Sequence, residues 1–179
     1  MIVPVDPFAG QPDVPGFTVE STSFSNGEAL PAKYTSGKMG MPGGMDISPE
    51  LLWSGAPDDT KSFAVTCFDA DAPTGSGWWH WAVMDIPATV TELPERAGEE
   101  SGNRLPEGAM QLRNDGGTLG YIGPAPPAGH GVHHYYFTVY ALDVAQAGVD
   151  PDTAPAALLT AMSDHMLGRG FIVGTAEVG

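Results

Sequence analysis

Cationic side chains are scarce in this sequence. Lysine and arginine together number 7 against 22 aspartates and glutamates, a formal net charge of −15 over 179 residues. A nucleic-acid binder displaces counterions from phosphates with a basic surface, and too little Lys and Arg is present to build one. Attraction to an anionic membrane surface is disfavoured for the same reason. Cysteine is almost missing too. Cys67 stands alone within an apolar run, which excludes an intrachain disulfide and points to a buried, inert thiol. No apolar run approaches the ~18 residues of a membrane span. The first residues, Met1 to Phe8, lack a basic segment followed by an apolar one, so no signal peptide is expected and the expected location is the cytoplasm. Missing as well are a Gly-x-Ser-x-Gly elbow, a P-loop, a dinucleotide fingerprint, a His-Glu-x-x-His pair and a cysteine-pair framework. Their absence argues against a serine hydrolase, a nucleotide enzyme and the common zinc sites. No metal and no cofactor are expected.

What is abundant is glycine and proline, 24 and 17 residues, about twice the ordinary share. Such a content excludes a helical bundle, because an interior Gly costs about 1 kcal/mol and an interior Pro about 3. The apolar residues fall in short blocks between these breakers, the pattern of many short strands joined by turns and long loops. Residues 1–16 hold four prolines and read as an extended arm. Residues 17–179 read as one domain. Within it Phe17–Ser23 is a first strand, 36–46 is a loop, and a short strand ends at Trp53. Ser62–Phe68 is a buried strand, and Trp78–Ile86 is another, closed by Pro87. Residues 88–131 show little regular pattern, and so long an irregular stretch in a compact domain is commonly functional. His133–Asp143 has the densest aromatic and β-branched content and is the strongest strand. Residues 154–167 carry the only good helix propensity, with Pro155 in the first turn and Gly168 at the stop, and Gly170–Val178 is a last strand. The expected fold is mostly β: two packed sheets with one helix near the C-terminus.

Chemistry-bearing residues gather at strand ends. Asp69 and Asp71 flank Ala70 after the buried strand, His80 sits among tryptophans, and His130, His133 and His134 precede the aromatic strand. Alternation on a strand places Asp69 and Asp71 on one side, where they line a wall or cap loop amides. It also turns Trp79 and Trp81 away from His80 and sets His133 and His134 on opposite faces. His130 and His134 read as solvated residues.

Three motifs in order, Asp69-Ala-Asp-Ala-Pro73, Trp79-His80-Trp81 and Gly129-His-Gly-Val-His-His-Tyr135, resemble the phosphatidylethanolamine-binding protein family, in its bacterial, Raf-kinase-inhibitor-like branch. Asp46-Ile-Ser-Pro-Glu-Leu-Leu-Trp53 and Gly123-Pro-Ala-Pro-Pro127 are similar to two further family segments, so the likeness spans residues 17–178. The resemblance implies a β-sandwich with a small anion pocket at one end. Carried over residue by residue, the pocket is Asp69, His80, His133 and Tyr135, with Ala72 and Pro73 shaping one wall and Gly123, Ala125, Pro126 and Pro127 the other. It further implies a binding or regulatory protein rather than an enzyme. The expected ligand is phosphate, a carboxylate or a phospholipid head group, and the expected partner is a kinase or protease. A homodimer is expected, since the bacterial branch often dimerises and four tryptophans in a weakly charged chain suggest apolar surface to cover. The alternative is a hydrolase or lyase using an Asp/His acid–base pair in the same pocket.

Two departures stand out. Ala70 takes the place of the family's usual proline, which is expected to loosen the turn. His134 replaces the family's usual arginine. The chemistry of the residues agrees with an anion site, because imidazoles and a phenol donate hydrogen bonds. With His80 and His133 as donors, anion affinity is expected to fall between about pH 6 and 8.

Overall fold

The computed structural model describes residues 3–179. Eight strands follow in chain order: β1 (Thr18–Glu20), β2 (Leu51–Ser54), β3 (Ser62–Asp69), β4 (Trp78–Pro87), β5 (Glu92–Leu93), β6 (Met110–Gln111), β7 (His133–Leu142) and β8 (Met166–Ala176). One helix, α1 (Pro155–Met162), precedes β8. The strands form a three-stranded sheet, β1-β2-β5, and a five-stranded sheet, β6-β4-β3-β7-β8. All pairings between named strands are antiparallel.

β3 is buried along its whole length, because it lies between β4 and β7 with both faces covered. Phe63, Val65 and Cys67 face the small sheet and pack with Val19, Leu51, Trp53 and Leu93. Ala64 faces the other way, in a second core built from Ala82, Met84, Tyr140 and Leu142 under Leu158 and Met162 of α1. Cys67 is buried and unpaired, and burial pushes its thiol well above the ordinary value, which keeps it protonated and unreactive.

The helix is shorter than its propensity suggests. It ends at Met162, a single 3-10 turn covers Ser163–His165, and β8 begins at Met166. Gly168 is therefore a strand residue and not the helix stop. Its neighbour Gly170 shows why glycine is used there. A Cβ at Gly170 would lie 2.3 Å from the Phe17 carbonyl oxygen, so a bare backbone is what lets the chain entering β1 cross over β8. Within the irregular stretch 88–131, only the two-residue strands β5 and β6 form.

The arm packs on this body from Val5 onward, Val3 being exposed; Met1 and Ile2 of the expected arm lie outside the described residues. Val5 N–H donates to the Ala70 carbonyl at 2.8 Å. The Phe8 ring lies 5.0 Å from that of Phe171, with the Arg169 guanidinium 4.3 Å above its centre. Of the four tryptophans, Trp53 and Trp81 are buried and Trp78 and Trp79 are half-buried. Among the described residues, no helix is long and apolar enough to cross a membrane.

β4 carries two irregularities against β3. In one, Cys67 faces Trp81 while Phe68 faces Trp79, leaving His80 as the extra residue. In the other, Asp85 takes a positive φ of 59° where the register slips between Phe63 and Val65. Such bulges redirect side chains locally, and the first of them shapes the site.

Candidate functional site

Register assembles the site. Asp69, the last residue of β3, pairs with Trp78 of β4 on one side and Tyr135 of β7 on the other. Alternation then brings His80, two residues after Trp78, and His133, two before Tyr135, to the same face. The bulge adds Trp81 to that face, where it joins the inner core. Only Trp79 turns away from His80, onto Phe68 at 4.5 Å; the expectation that both flanking tryptophans would do so is corrected by the extra residue.

These side chains line a cavity of about 280 Å³ at the end of the sandwich. Ala72, Pro73 and Thr74 form one wall, and Ala125, Pro126 and Pro127 form the opposite one, with Met39 at the side. No lysine or arginine lines it. Gly123 does not line it either. It lies behind the wall, where its N–H donates to Asp46 Oδ1 at 2.8 Å and a Cβ would lie 2.4 Å from the Thr35 carbonyl carbon. Its part is therefore to permit close packing of the loops that carry the walls.

Each buried polar side chain of the cavity has a defined partner except one. Asp69 is buried. Its Oδ2 accepts from His133 Nδ1–H at 2.7 Å, and its Oδ1 accepts from the Asp71 N–H at 2.8 Å. The other nitrogen of His133, Nε2, stands 2.6 Å from His130 Nδ1, with one proton between them. His130 is thus not a solvated loop residue but the outer end of a chain running His130, His133, Asp69. Asp71 leaves the pocket wall. Its Oδ2 accepts from both the backbone N–H of His134 at 2.7 Å and the exposed ring Nδ1–H at 2.8 Å.

His80 is buried against Trp78 and Tyr135, ring centres 4.5 and 5.2 Å away. Its Nδ1 lies 2.7 Å from the Ile122 carbonyl oxygen. A carbonyl only accepts, so Nδ1 carries the hydrogen and Nε2 is left as a bare lone pair. Burial lowers the His80 pKa to about 4, against the opposing pull of the Ile122 carbonyl. His80 is therefore neutral in the free protein between pH 6 and 8. For stability the sign is clear. Below the ordinary histidine value the unfolded chain takes up a proton that native His80 refuses, so stability falls as pH drops from about 6.5 toward 4. Urea unfolding across that range is expected to show less acid sensitivity in His80→Gln than in the parent.

The group without a partner is the Tyr135 hydroxyl. It is buried, lines the cavity and makes no hydrogen bond to the protein, although the Asp69 carboxylate is close. Burial, then the Asp69 charge, holds the phenol well above its ordinary pKa, so it remains a donor.

Met39, Thr74 and Trp78 escaped the reading of the sequence. Trp78 was within reach, since it alternates with His80. Met39 was not, because only the fold brings its loop to the wall, through Ser36 N–H donating to the Pro124 carbonyl at 2.9 Å.

The family model for phosphatidylethanolamine-binding protein matches residues 20–177. This chain belongs to that family. UPF0098 protein YbcL of Escherichia coli is 51% identical over 162 residues, covering 90% of this chain and 85% of the relative. UPF0098 protein YbhB of the same organism is 44% identical over 153 residues, covering 85% and 94%. The crystal structure of E. coli YbcL, described as a new member of the mammalian PEBP family, superposes with a TM-score of 0.88, covering 91% of this chain and 99% of that one. Membership of the phosphatidylethanolamine-binding protein family supports a binding or regulatory role in general terms.

The two departures from the family's usual motifs have structural outcomes. The Ala70 N–H donates to the His134 carbonyl at 3.3 Å, a bond that proline cannot make. His134 keeps a link to Asp71, but through an imidazole that is about half exposed in place of a guanidinium fork.

Proposed function

We propose that this phosphatidylethanolamine-binding protein family member is a non-catalytic binding protein. Its cavity would hold one small oxyanion: a carboxylate, a phosphate or the phosphoryl part of a phospholipid head group. A regulatory effect through a protein partner, a kinase or a protease, belongs to the same reading. The observation that supports it most directly is the Tyr135 hydroxyl. A buried donor without an acceptor costs about 1–3 kcal/mol, and a ligand oxygen in the cavity would supply that acceptor. Trp78 and the proline wall keep the cavity largely apolar, which strengthens any hydrogen bond made inside it.

The dimensions agree with a small ligand. A cavity of about 280 Å³ lies just below the usual range for whole small molecules, enough for a carboxylate or a head-group fragment and too little for an acyl chain.

Titration of acetate, followed by calorimetry or by amide chemical shifts, tests the reading. Saturable binding in the parent is expected, weakened about 10- to 100-fold in Tyr135→Phe, the range of one hydrogen bond to a charged group. Equal affinities in the two proteins would overturn the assignment of Tyr135. For the partner, a pull-down that survives His133→Ala would put its contact on the surface, and one that is lost would put it at the pocket.

One observation favours the hydrolase or lyase alternative: Asp69 orients His133 at 2.7 Å, as a carboxylate orients a general base. Against it, His133 Nε2 is already engaged by His130, and the Thr74 hydroxyl on the wall donates to the Gly77 carbonyl. Turnover of phosphate or carboxylate esters that is lost in His133→Ala would favour the alternative.

A further inference from the structure

The hydrogen-bonding pattern of the cavity constrains what it accepts. His80 spends its Nδ1–H on the Ile122 carbonyl, and His133 spends its Nδ1–H on Asp69. With both rings neutral, each has only a lone pair left on Nε2, and that of His133 meets His130. Asp69 contributes a negative charge to the same walls, and no lysine or arginine offsets it. Among the buried side-chain donors that line the cavity, the Tyr135 O–H is then the one left without a protein partner. An oxyanion placed there would face the Asp69 carboxylate and the His80 lone pair beside that donor, in a site whose largely apolar walls screen the repulsion poorly.

We infer that this cavity takes its oxyanion only together with one proton, either drawn from solvent onto a pocket imidazole or brought by the ligand as an O–H. The inference rests on the oxyanion reading above and deepens it. It selects singly charged, proton-bearing or proton-recruiting ligands, such as carboxylates and monoanionic phosphates, over phosphate dianions. With His80 protonated, its Nε2–H becomes a second inward donor and its charge balances Asp69. With His133 protonated, Nε2–H turns from His130 to the ligand while Nδ1–H stays on Asp69. His130, half-buried at the mouth, links that proton to solvent.

Every ionisable group facing the two rings is accounted for. From β3 come Asp69 and the protonated Cys67 behind it. From β7 come His133 and Tyr135, and from the preceding loop His130. Asp71 is turned outward to His134. Acid favours the imidazolium, and the bound anion raises its pKa above the free value of the ring. The gain is therefore complete below the free pKa and lost as pH rises through the bound one.

Calorimetric titration of the full chain with sodium acetate at pH 6.0 measures the proton directly. Acetate is almost fully ionised there, and Mes and Bis-Tris differ in ionisation enthalpy. About one proton taken up per acetate bound is expected, with affinity falling up to tenfold per pH unit as pH rises. One pocket imidazole is expected to move to the doubly protonated ¹⁵N signature on saturation. Saturable binding with equal heats in the two buffers, flat affinity from pH 5.5 to 7.5 and unchanged imidazole signals would overturn the proton coupling and leave the oxyanion pocket standing. No saturable binding of acetate would overturn both.

Discussion

Trp81→Ala is expected to cost about 3–5 kcal/mol of stability, the range for emptying a fully buried large aromatic site. Trp81 is completely buried, with its ring edge-on to Tyr121 at 5.8 Å and its Nε1–H donating to Gln111 Oε1 at 3.2 Å. Truncation removes the packing and leaves the Gln111 oxygen without its donor in the core. In a chain of this length each kcal/mol moves the melting temperature by about 2–4 °C, so a fall of about 10 °C is expected. Its neighbour is the control. Trp79 is half-buried on the opposite face, against Phe68, and Trp79→Ala is expected to cost about 1–2 kcal/mol. Urea unfolding of both variants compares the two faces. Equal losses would mean that the bulge at His80 does not divide them.

That bulge marks where the sequence stops being legible. Strict alternation puts Trp79 and Trp81 together, and nothing in Trp78-Trp-His-Trp-Ala announces an extra residue. The bulge appears only when β4 is set against β3. The strands themselves were readable, since Ser62–Phe68 and the aromatic run from His133 are dense in residues that suit a covered sheet. The helix boundary was misread because Gly168 serves equally as a helix stop and as a strand residue under a crossing chain. At the site, Asp69, His80, His133 and Tyr135 were legible as a group through the family motifs, and the structure brings all four to one cavity. His130 was read as solvated because its partner is three residues away on a different element. For Asp71 alternation leaves a wall and an amide cap equally open, and the turn that follows β3 decides for the cap, on the His134 N–H. What remained hidden in each case was a contact between segments far apart in sequence or across a turn, which residue type and period do not encode.

Gly123→Ala is expected to damage both the fold and the pocket. A Cβ at residue 123 would lie 2.4 Å from the Thr35 carbonyl carbon, 2.5 Å from the Tyr34 carbonyl oxygen and 2.7 Å from the Ser36 nitrogen. All three are backbone atoms, so no side chain can rotate aside. Overpacking ordinarily costs about 1–3 kcal/mol, and a clash against fixed main chain belongs at or above the top of that range. The segments forced apart are those tied by Ser36 N–H to the Pro124 carbonyl, Gly123 N–H to Asp46 and the Tyr121 hydroxyl to the Tyr34 carbonyl. They carry Met39 on one side and Ala125 to Pro127 on the other, so the cavity loses its shape along with the stability. Gly117→Ala separates this effect from backbone preference. Gly117 has φ of 83° with nothing within 4 Å of a Cβ, so only the left-handed cost of about 1–2 kcal/mol applies. Thermal unfolding is expected to show Gly123→Ala at least about 6 °C below the parent, with acetate binding weakened more than tenfold. Gly117→Ala should keep the parent's affinity. A Gly123→Ala protein that melts within 2 °C of the parent and binds acetate as tightly would show that these two loops are not packed backbone to backbone and that the pocket wall does not depend on their contact.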